Sequence, residues 1–406
     1  MNTALPLDGI RVVEFSHMIM GPSCGLVLGD LGADVIKVEP AGAGDNTRRL
    51  PGTGAGFFVS FNRNKKSLAL DIKSSKGLAL AKRLIAQADV LIENFRPGGL
   101  DALGLGYDAL KADNPRLIYC SLKGFLSGPY EHRAALDEVV QMMGGLAYMT
   151  GPPGRPLRAG APVNDMMGGM FAVIGILAAL RQRDASGKGQ WIKSALFENN
   201  AWLVSPHMAQ FAVTGKPADP MPNRLSAWGI YDVFETKDGQ QVFIAVVSDT
   251  QWRAFCEAFR QPELAADASL ATNPQRVASR ATLIPKLRGI FRSVTRQDTS
   301  ALCEKFGLGF APITRPHELF DDPQLKQPGG MVEVSLPDGR SSPLPALPIE
   351  LDGKRLGRRL DVPRLGEHSA AIARELGCDE ATVRELIEEG VLDVGGSAAA
   401  KPTAAE

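Results

Sequence analysis

The sequence contains few cysteines, few aromatic residues and no excess charge of either sign. Its five cysteines among 406 residues are odd in number and show no C-x-x-C spacing, which argues against a disulfide framework and a zinc site. The 45 basic and 45 acidic side chains cancel, so the chain lacks the basic surface that nucleic acids and anionic membranes attract. We therefore expect a cytoplasmic protein that acts on small molecules, with no metal and no nucleic-acid or membrane partner.

Long charge-free apolar runs are also missing. The most apolar stretch, residues 166–180, is shorter than the ~20 residues that cross a bilayer. It is apolar on every side, which predicts a buried core helix. The N-terminal segment MNTALPLDGIRVVEF carries charge inside its apolar run and has no small-residue cleavage site, so it predicts a first strand rather than a signal peptide.

Strand and helix patterns alternate through the first third of the chain. Strands are predicted at 10–16, 34–39, 67–72, 89–95 and 116–122, and helices at 21–30, 75–88 and 100–113. Strands that alternate with helices indicate an α/β fold with a doubly wound, Rossmann-like, largely parallel sheet.

The character of the chain changes after residue 220. A hairpin around the turn Lys237-Asp238-Gly239 is followed by predicted helices near 249–260, 274–293 and 296–306. We predict a large α/β domain at 1–220, a smaller α/β domain at 221–330, a return segment at 331–392 that packs on the large domain, and a disordered tail at 393–406.

A glycine-rich segment, SHMIMGPSCGLVLGDLGADVIKVE, follows the first predicted strand. Dinucleotide-binding loops carry G-x-G-x-x-G, because closely spaced glycines let the backbone approach a pyrophosphate. Here Gly21, Gly25 and Gly29 recur every four residues, which is typical of close helix packing. This spacing favours a structural role over a nicotinamide site.

Asp165, in GAPVNDMMGGMFAVIGILAALRQR, precedes the apolar helix. An aspartate in this place is a good helix N-cap. Gly168 and Gly169 weaken the first turn by roughly 1 kcal/mol each relative to alanine, which suits a ligand that approaches the backbone. Free amides at the helix start could also hold an oxyanion. The residues alone leave a cap and a catalytic carboxylate both open.

Several segments together resemble the family III CoA-transferases. They include LDGIRVVEFSHMIMGPSCGLVLGDLGADVIKVE, NRNKKSLALDIKSSKG, DVLIENFRPGGLDALGLGYDAL, NPRLIYCSLKGF and LGEHSAAIARELG, in order over residues 6–380. The resemblance implies that Asp165 attacks an acyl-CoA thioester and becomes an aspartyl-CoA thioester, with a free carboxylic acid as acceptor. It also implies a homodimer of two interlocked, ring-like subunits.

The same resemblance implies a set of coenzyme A contacts. Asn94 and Phe95 match an E-N-F segment at a strand end, and Leu70 matches a residue near the adenine. Arg96 could pair with a CoA phosphate, because a guanidinium matches phosphate geometry. Lys123 and Arg133 are lesser candidates that could equally be solvated surface charges. An ordinary strand end is the alternative interpretation of Asn94 and Phe95.

Acceptor-pocket residues follow from the resemblance too, and we expect the pocket to contain six of them: His17, Ile19, Met20, Arg48, Asp137 and Gly168. Asp137 could otherwise be a helix cap, His17 a packed histidine and Arg48 a surface charge. Relatives that use oxalate have glutamine where Ile19 stands, which favours a longer acid, and Arg48 could hold its second acidic group.

Leu136 distinguishes two enzyme classes. Racemases of the superfamily have histidine there as one of two bases, so leucine favours a transferase. We predict succinyl-CoA as donor and a small dicarboxylate, or a sulfinate such as 3-sulfinopropionate, as acceptor. An acyl-CoA racemase, an intramolecular CoA isomerase and a non-catalytic CoA-binding protein remain alternatives.

Overall fold

A computed structural model describes residues 5–224 and 226–395. The strands of the described chain are β1 Arg11–Phe15, β2 Asp34–Glu39, β3 Lys65–Leu70, β4 Val90–Glu93, β5 Ile118–Lys123, β6 Trp191–Ala195, β7 Ile230–Glu235, β8 Gln241–Val246, β9 Gly309–Pro312, β10 Met331–Ser335, β11 Ser341–Pro345, β12 Glu350–Leu351, β13 Lys354–Arg355 and β14 Leu392–Asp393.

The α-helices of the same residues are α1 Met20–Asp30, α2 Phe57–Phe61, α3 Ser75–Ala86, α4 Tyr107–Asp113, α5 Asp137–Met143, α6 Leu146–Thr150, α7 Val163–Ser186, α8 Leu196–Thr214, α9 Asp249–Ala258, α10 Pro262–Ala266, α11 Asn273–Ala278, α12 Arg280–Phe291, α13 Arg296–Lys305, α14 Ser369–Glu375 and α15 Glu380–Glu388.

Seven strands form one twisted sheet in the order β14-β3-β2-β1-β4-β5-β6. All neighbours run parallel except β14, which pairs antiparallel with β3 at the edge. The order 3-2-1-4-5-6 is that of the Rossmann fold, and the winding reverses between β1 and β4. The α/β prediction is therefore confirmed, and the crevice at the carboxyl ends of β1 and β4 is the place where such sheets bind ligands.

Helices cover both faces of this sheet, as buried parallel strands require. Val12 and Val35 belong to one apolar cluster, together with side chains of α1 and α7. Val13 and Ile36, one position further along, belong to a second cluster with side chains of α3, α14 and α15. Alternate residues of a strand point to opposite faces, so each strand supplies both cores.

A smaller unit comprises Asn223–Asp322, and the rest of the chain forms the larger unit. In the smaller unit β7, β8 and β9 form an antiparallel sheet, and side chains of α9, α12 and α13 complete its core. The hairpin predicted around Gly239 is present, and this glycine has a φ of 69°, which its turn requires. The domain boundaries derived from the sequence remain predictions.

Some predicted elements differ from those observed. The helix expected at 100–113 is interrupted because Gly104 adopts a φ of 66°, and α4 begins only at Tyr107. The helix expected at 274–293 divides at Ser279 into α11 and α12. The return segment contains a hairpin, β10–β11. It was not predicted because its prolines argue against a strand, although proline is tolerated in edge strands. Asp393 belongs to β14, whereas residues 396–406 of the predicted tail lie outside the described residues.

Helix α7 is buried on one face only, whereas the sequence predicted a helix that is buried on every side. Among the described residues it alone is long and apolar enough to cross a membrane by length and composition. One face packs in the core through Ala172 and Ile176. The opposite face is exposed, and Ile174 retains 59% of its accessible surface. The prediction of complete burial is therefore wrong for the single chain.

The glycines of α1 allow close packing, as their spacing predicts. A Cβ atom on Gly25 would overlap Oε2 of the buried Glu14, and one on Gly29 would lie 3.0 Å from the carbonyl oxygen of Asn64. A Cβ on Gly21 would overlap the side chain of Ser16. The helix thus lies directly against β1 and the loop that follows it.

Gly25→Ala should lower the melting temperature by several degrees, because the added methyl must displace a buried, ion-paired carboxylate; overpacking of this kind costs about 1–3 kcal/mol. Gly289→Ala is the matched control, since Gly289 lies within α12 and no atom is within 4 Å of an added Cβ. The control should stabilise slightly, because alanine favours a helix over glycine. Equal melting temperatures for the two variants would contradict this account of α1.

Candidate active site

Asp165 lies in the first turn of α7 but does not cap it. Pro162 occupies the N-cap position and the helix begins at Val163, so the interpretation of Asp165 as the cap is wrong. Nor can Asp165 complete a capping box, because that bond needs the N–H of the N-cap residue, which proline lacks. Within residues 5–224 and 226–395, the Asp165 carboxylate accepts no hydrogen bond.

Asp137 supplies the missing cap from another helix. Its Oδ2 accepts hydrogen bonds from the backbone N–H groups of Asn164 at 2.9 Å and Asp165 at 3.2 Å. Gln141, one turn along α5, donates Nε2 to Oδ1 at 2.6 Å. The amide of Val163 donates to the carbonyl of Ala161. The expectation that free amides here hold an oxyanion is therefore wrong, because these first-turn amides already have acceptors.

Burial raises the pKa of Asp165 to about 7, and the neighbouring charge of Asp137 adds to the rise. Arg158 opposes it, and this guanidinium lies 4.0 Å from Oδ1 of Asp137. A carboxyl group with a strongly raised pKa at a cleft is typical of a functional site. Once ionised, such a carboxylate is more basic than an ordinary aspartate and is little stabilised by its surroundings, as a nucleophile should be.

Glycines in the second turn of α7, one turn after Asp165, allow the close approach of α1. A Cβ on Gly168 would overlap Cε of Met20, and one on Gly169 would lie 2.9 Å from the Met20 carbonyl oxygen. Ile19, at the start of α1, is buried as well. Two predicted pocket residues, Met20 and Gly168, are therefore in contact one turn after Asp165, whose backbone Asp137 holds.

His17 and Asn94 meet at the crevice between β1 and β4. Oδ1 of Asn94 accepts the His17 backbone N–H at 3.0 Å, and Nδ2 of Asn94 donates to the His17 carbonyl at 2.8 Å. The imidazole contacts the Phe95 ring edge to face, with 6.0 Å between centroids. Burial lowers the pKa of His17, which keeps the ring neutral at physiological pH. Three predicted site residues thus lie where ligands of open α/β sheets bind.

A model of CoA-transferase family III matches residues 7–369. The chain belongs to this family of enzymes. It is 36% identical to the succinate–glutarate CoA-transferase of Agrobacterium fabrum, over 94% of this chain and 98% of that one. It is 34% identical to human succinyl-CoA:glutarate CoA-transferase, over 97% and 91%. The crystal structure of a CAIB/BAIF family protein from Brucella suis has a TM-score of 0.82 at 38% identity, and the match covers 92% of this chain and all of that one.

The remaining residues predicted for this CoA-transferase occupy different environments. Lys123 donates to Oε2 of Glu93 and to the carbonyl of Phe95, both at 2.7 Å, so it stands at the same crevice. Arg96 is exposed, and its guanidinium has no hydrogen-bond or ionic partner among the described residues. Arg133 is exposed and stacks on Tyr130, 4.3 Å from the ring centroid.

Two residues that were predicted to contact the substrates, Leu70 and Arg48, have side chains that are engaged by other residues of the transferase. Leu70 is 1% exposed and belongs to the apolar cluster beneath α14, so its side chain is closed off from the surface. Arg48 makes two 2.7 Å hydrogen bonds to Glu39 and stacks on Phe58, so a carboxylate already neutralises its charge. Ligand roles for Leu70 and Arg48 remain predictions.

Three residues near Asp165 escaped sequence reasoning. Gln141 donates a hydrogen bond to Asp137, and the Arg158 guanidinium lies 4.0 Å from the same carboxylate. Asn164 is fully buried, and neither its side-chain nitrogen nor its side-chain oxygen has a hydrogen-bond partner among the described residues. The i, i+4 spacing of Asp137 and Gln141 was a usable signal, since such residues are neighbours on a helix. No local pattern marked Arg158 or Asn164.

Asp165→Asn should stabilise the transferase in a pH-dependent way. An acid whose pKa rises from 3.8 to about 7 on folding binds its proton more tightly when folded, so wild type loses stability as the pH rises between these values. Asparagine has no such loss. The variant's advantage in melting temperature should be absent below pH 4, grow up to about pH 7 and then stay level.

Asp184→Asn, at an exposed position near the other end of α7, is the control and should follow wild type throughout. Thermal denaturation at a series of pH values measures both variants. Parallel pH profiles for wild type and Asp165→Asn would show that the carboxyl group is not strained by its surroundings.

Proposed function

We propose that this enzyme moves CoA from succinyl-CoA to a dicarboxylic acid of about the size of glutarate, through a covalent intermediate on Asp165. The observation that carries the proposal is the Asp165 carboxylate, which has no hydrogen-bond partner in the described chain while Asp137 caps its helix. The curated relatives named above, which act on succinyl-CoA or succinate and glutarate, support the choice of acids.

The reaction requires four exchanges of activated acyl bonds. An Asp165 oxygen attacks the thioester carbonyl, the C–S bond breaks, and a mixed anhydride and the CoA thiolate form. The thiolate attacks the aspartyl carbonyl, succinate leaves, and an aspartyl-CoA thioester remains. The acceptor carboxylate attacks that thioester and releases the thiolate, which then attacks the acceptor carbonyl and frees Asp165. Water must stay out, because each intermediate is readily hydrolysed.

Buried apolar side chains next to Asp165 suit the methylene chain of such an acid. Ile19 and Met20 are both less than 5% exposed and lie at the start of α1, where Met20 contacts the second turn of α7. We assign the second acidic group to Arg158, which is about one-third exposed. Arg158 is ion-paired with the exposed Glu138 at 3.5 Å, a contact that is longer than the two 2.7 Å bonds between Arg48 and the buried Glu39.

Coenzyme A is proposed to lie along the crevice at the ends of β1 and β4. Asn94, Phe95 and Lys123 line the carboxyl ends of the central strands, and exposed Arg96 follows directly. A guanidinium without an internal partner is free to form a bidentate pair with a phosphate. Arg133 is a second exposed cation of this kind.

Wild type incubated with succinyl-CoA and a panel of glutarate, 3-sulfinopropionate, oxalate and malonate should form glutaryl-CoA fastest, as measured by mass spectrometry. Asp165→Ala should abolish transfer, because the nucleophile is lost. The fold should survive, since Asp137 and not Asp165 caps α7.

The intermediate can be trapped in the same experiment. Without an acceptor, hydroxylamine should convert Asp165 to a hydroxamate, seen as a mass change on its peptide, in wild type and in the Asp184→Asn control. If transfer proceeds while this peptide never carries a label, direct carboxylate attack replaces the covalent mechanism. If no acid in the panel accepts CoA, the proposed substrate class is wrong.

A homodimer belongs to the same proposal, and the exposed face of α7 supports it. Met166, Met170, Ile174 and Leu177 form one apolar stripe along the helix, and each is at least 36% exposed. Trp202 on the adjoining helix α8 is 64% exposed. Contiguous apolar surface of this kind marks a protein interface, and the interlocked arrangement implied by the family resemblance would cover it. All five cysteines are free and buried, in keeping with a cytoplasmic enzyme.

Ile174→Glu should convert the dimer to monomers, because it places a charge in the middle of the apolar stripe. Analytical ultracentrifugation of wild type should give twice the mass of the chain. Circular dichroism checks that the variant remains folded. A monomeric wild type at micromolar concentration would contradict the proposal.

A further inference from the structure

A group of buried charges lies beneath the loop that joins β1 to α1. Glu14 on β1, Lys37 on β2 and Lys65 on β3 are fully buried. The Glu14 carboxylate pairs with both ammonium groups, at 3.3 Å and 2.8 Å, and Lys37 also contacts Asp45 at 2.9 Å. Buried ion pairs add little stability over well-packed apolar residues, which favours a role for this network other than stability.

This network reaches the backbone of the loop through two side chains. Nζ of Lys37 donates to the carbonyl of Ser16 at 2.6 Å. Oδ1 of Asp45 accepts both the backbone N–H and the hydroxyl of Thr47, at 2.8 Å and 2.6 Å. The Thr47 hydroxyl in turn accepts the backbone N–H of Met18 at 3.0 Å. Because its single proton goes to Asp45, the hydroxyl is oriented with a lone pair towards Met18.

Met18 needs this support, because it has a φ of 63°. Residues other than glycine rarely adopt this left-handed conformation, and it persists where the surroundings impose it. Asn94 holds His17 from the other side through two hydrogen bonds. The direction in which the chain enters α1 is thus set by Thr47 on one side and Asn94 on the other.

That direction determines the position of Met20. Its side chain meets Gly168 and its carbonyl lies against Gly169, in the first turns of the helix that carries Asp165. A small rotation at Met18 would therefore move Met20 relative to the Asp165 carboxylate. Displacements of about 1 Å near reacting groups can cost a hundredfold in rate.

We propose that Thr47 is a positioning residue for the transfer reaction. Anchored by Asp45 and Lys37, it holds Met18 in the left-handed conformation and so places Met20 against Gly168, one turn after Asp165. This inference rests on the function proposed above and adds to it a residue that touches no substrate.

Thr47→Val is the test, because valine keeps the shape and removes the hydroxyl. We expect kcat for CoA transfer to fall about tenfold or more, with a much smaller change in KM for succinyl-CoA. Thr47→Ser, which restores the hydroxyl, should recover most of the lost kcat. Thr299→Val is the matched control, since Thr299 is fully buried and its hydroxyl has no partner among the described residues.

Hydrogen exchange provides a readout that needs no activity. Amides of the peptide spanning residues 16–20 should exchange faster in Thr47→Val than in wild type, Thr47→Ser or Thr299→Val. A Thr47 that only stabilised the fold would lower the melting temperature and leave kcat per folded enzyme unchanged.

Unchanged kcat in Thr47→Val, or a loss that Thr47→Ser does not repair, would overturn the positioning role. Unchanged exchange of the 16–20 peptide would overturn the anchoring itself. If wild type fails to transfer CoA, the proposed function is wrong, and the exchange comparison still decides whether Thr47 anchors the loop.

Discussion

The carboxylate of Asp137 provides what the sequence at the start of α7 lacks. That helix begins after a proline, and no side chain of its own accepts its first free amides. Asp137 accepts two of them from across the interface with α5. As a result Asp165 is released from any capping role, and a second negative charge stands near it. Burial is the main cause of the raised pKa of Asp165, and the charge of Asp137 adds to the rise.

The neighbouring carboxyl groups of Asp165 and Asp137 lower the stability of the folded protein, as groups in active sites commonly do. Arg158 offsets part of the repulsion but leaves one-third of its own side chain exposed. Arg158 is ion-paired with the exposed Glu138 at 3.5 Å, a pair that solvent weakens, whereas Arg48 makes two 2.7 Å hydrogen bonds to the buried Glu39. An incoming anion can therefore displace the contacts of Arg158 more easily than those of Arg48.

Local patterns were sufficient for the architecture. Short β-branched runs that alternate with amphipathic helices gave the parallel sheet, and the four-residue glycine spacing gave the close packing of α1. Local patterns could not predict the arrangement of the active site, because its decisive contacts join residues that are far apart in the chain. Nothing near Asp165 reveals that an acceptor 28 residues upstream caps its helix, and nothing in GDNTRRL reveals that Glu39 holds Arg48. The exposed face of α7 was missed for a related reason, since composition alone does not show which apolar side chains the rest of the chain covers.

Strand β14 and helices α14 and α15 complete the sheet and one of its two apolar layers, although they are the last described elements of the chain. Leu392 pairs with Leu70, and Ile372 and Leu386 fill the same layer as Leu68 and Leu84. These contacts span more than 300 residues, so they form slowly and only after residues 369–393 have been synthesised. Before those elements are synthesised, α3 and α4 cover this face of the sheet only in part. The nascent chain should need a chaperone, or some other temporary shield, until α14, α15 and β14 emerge.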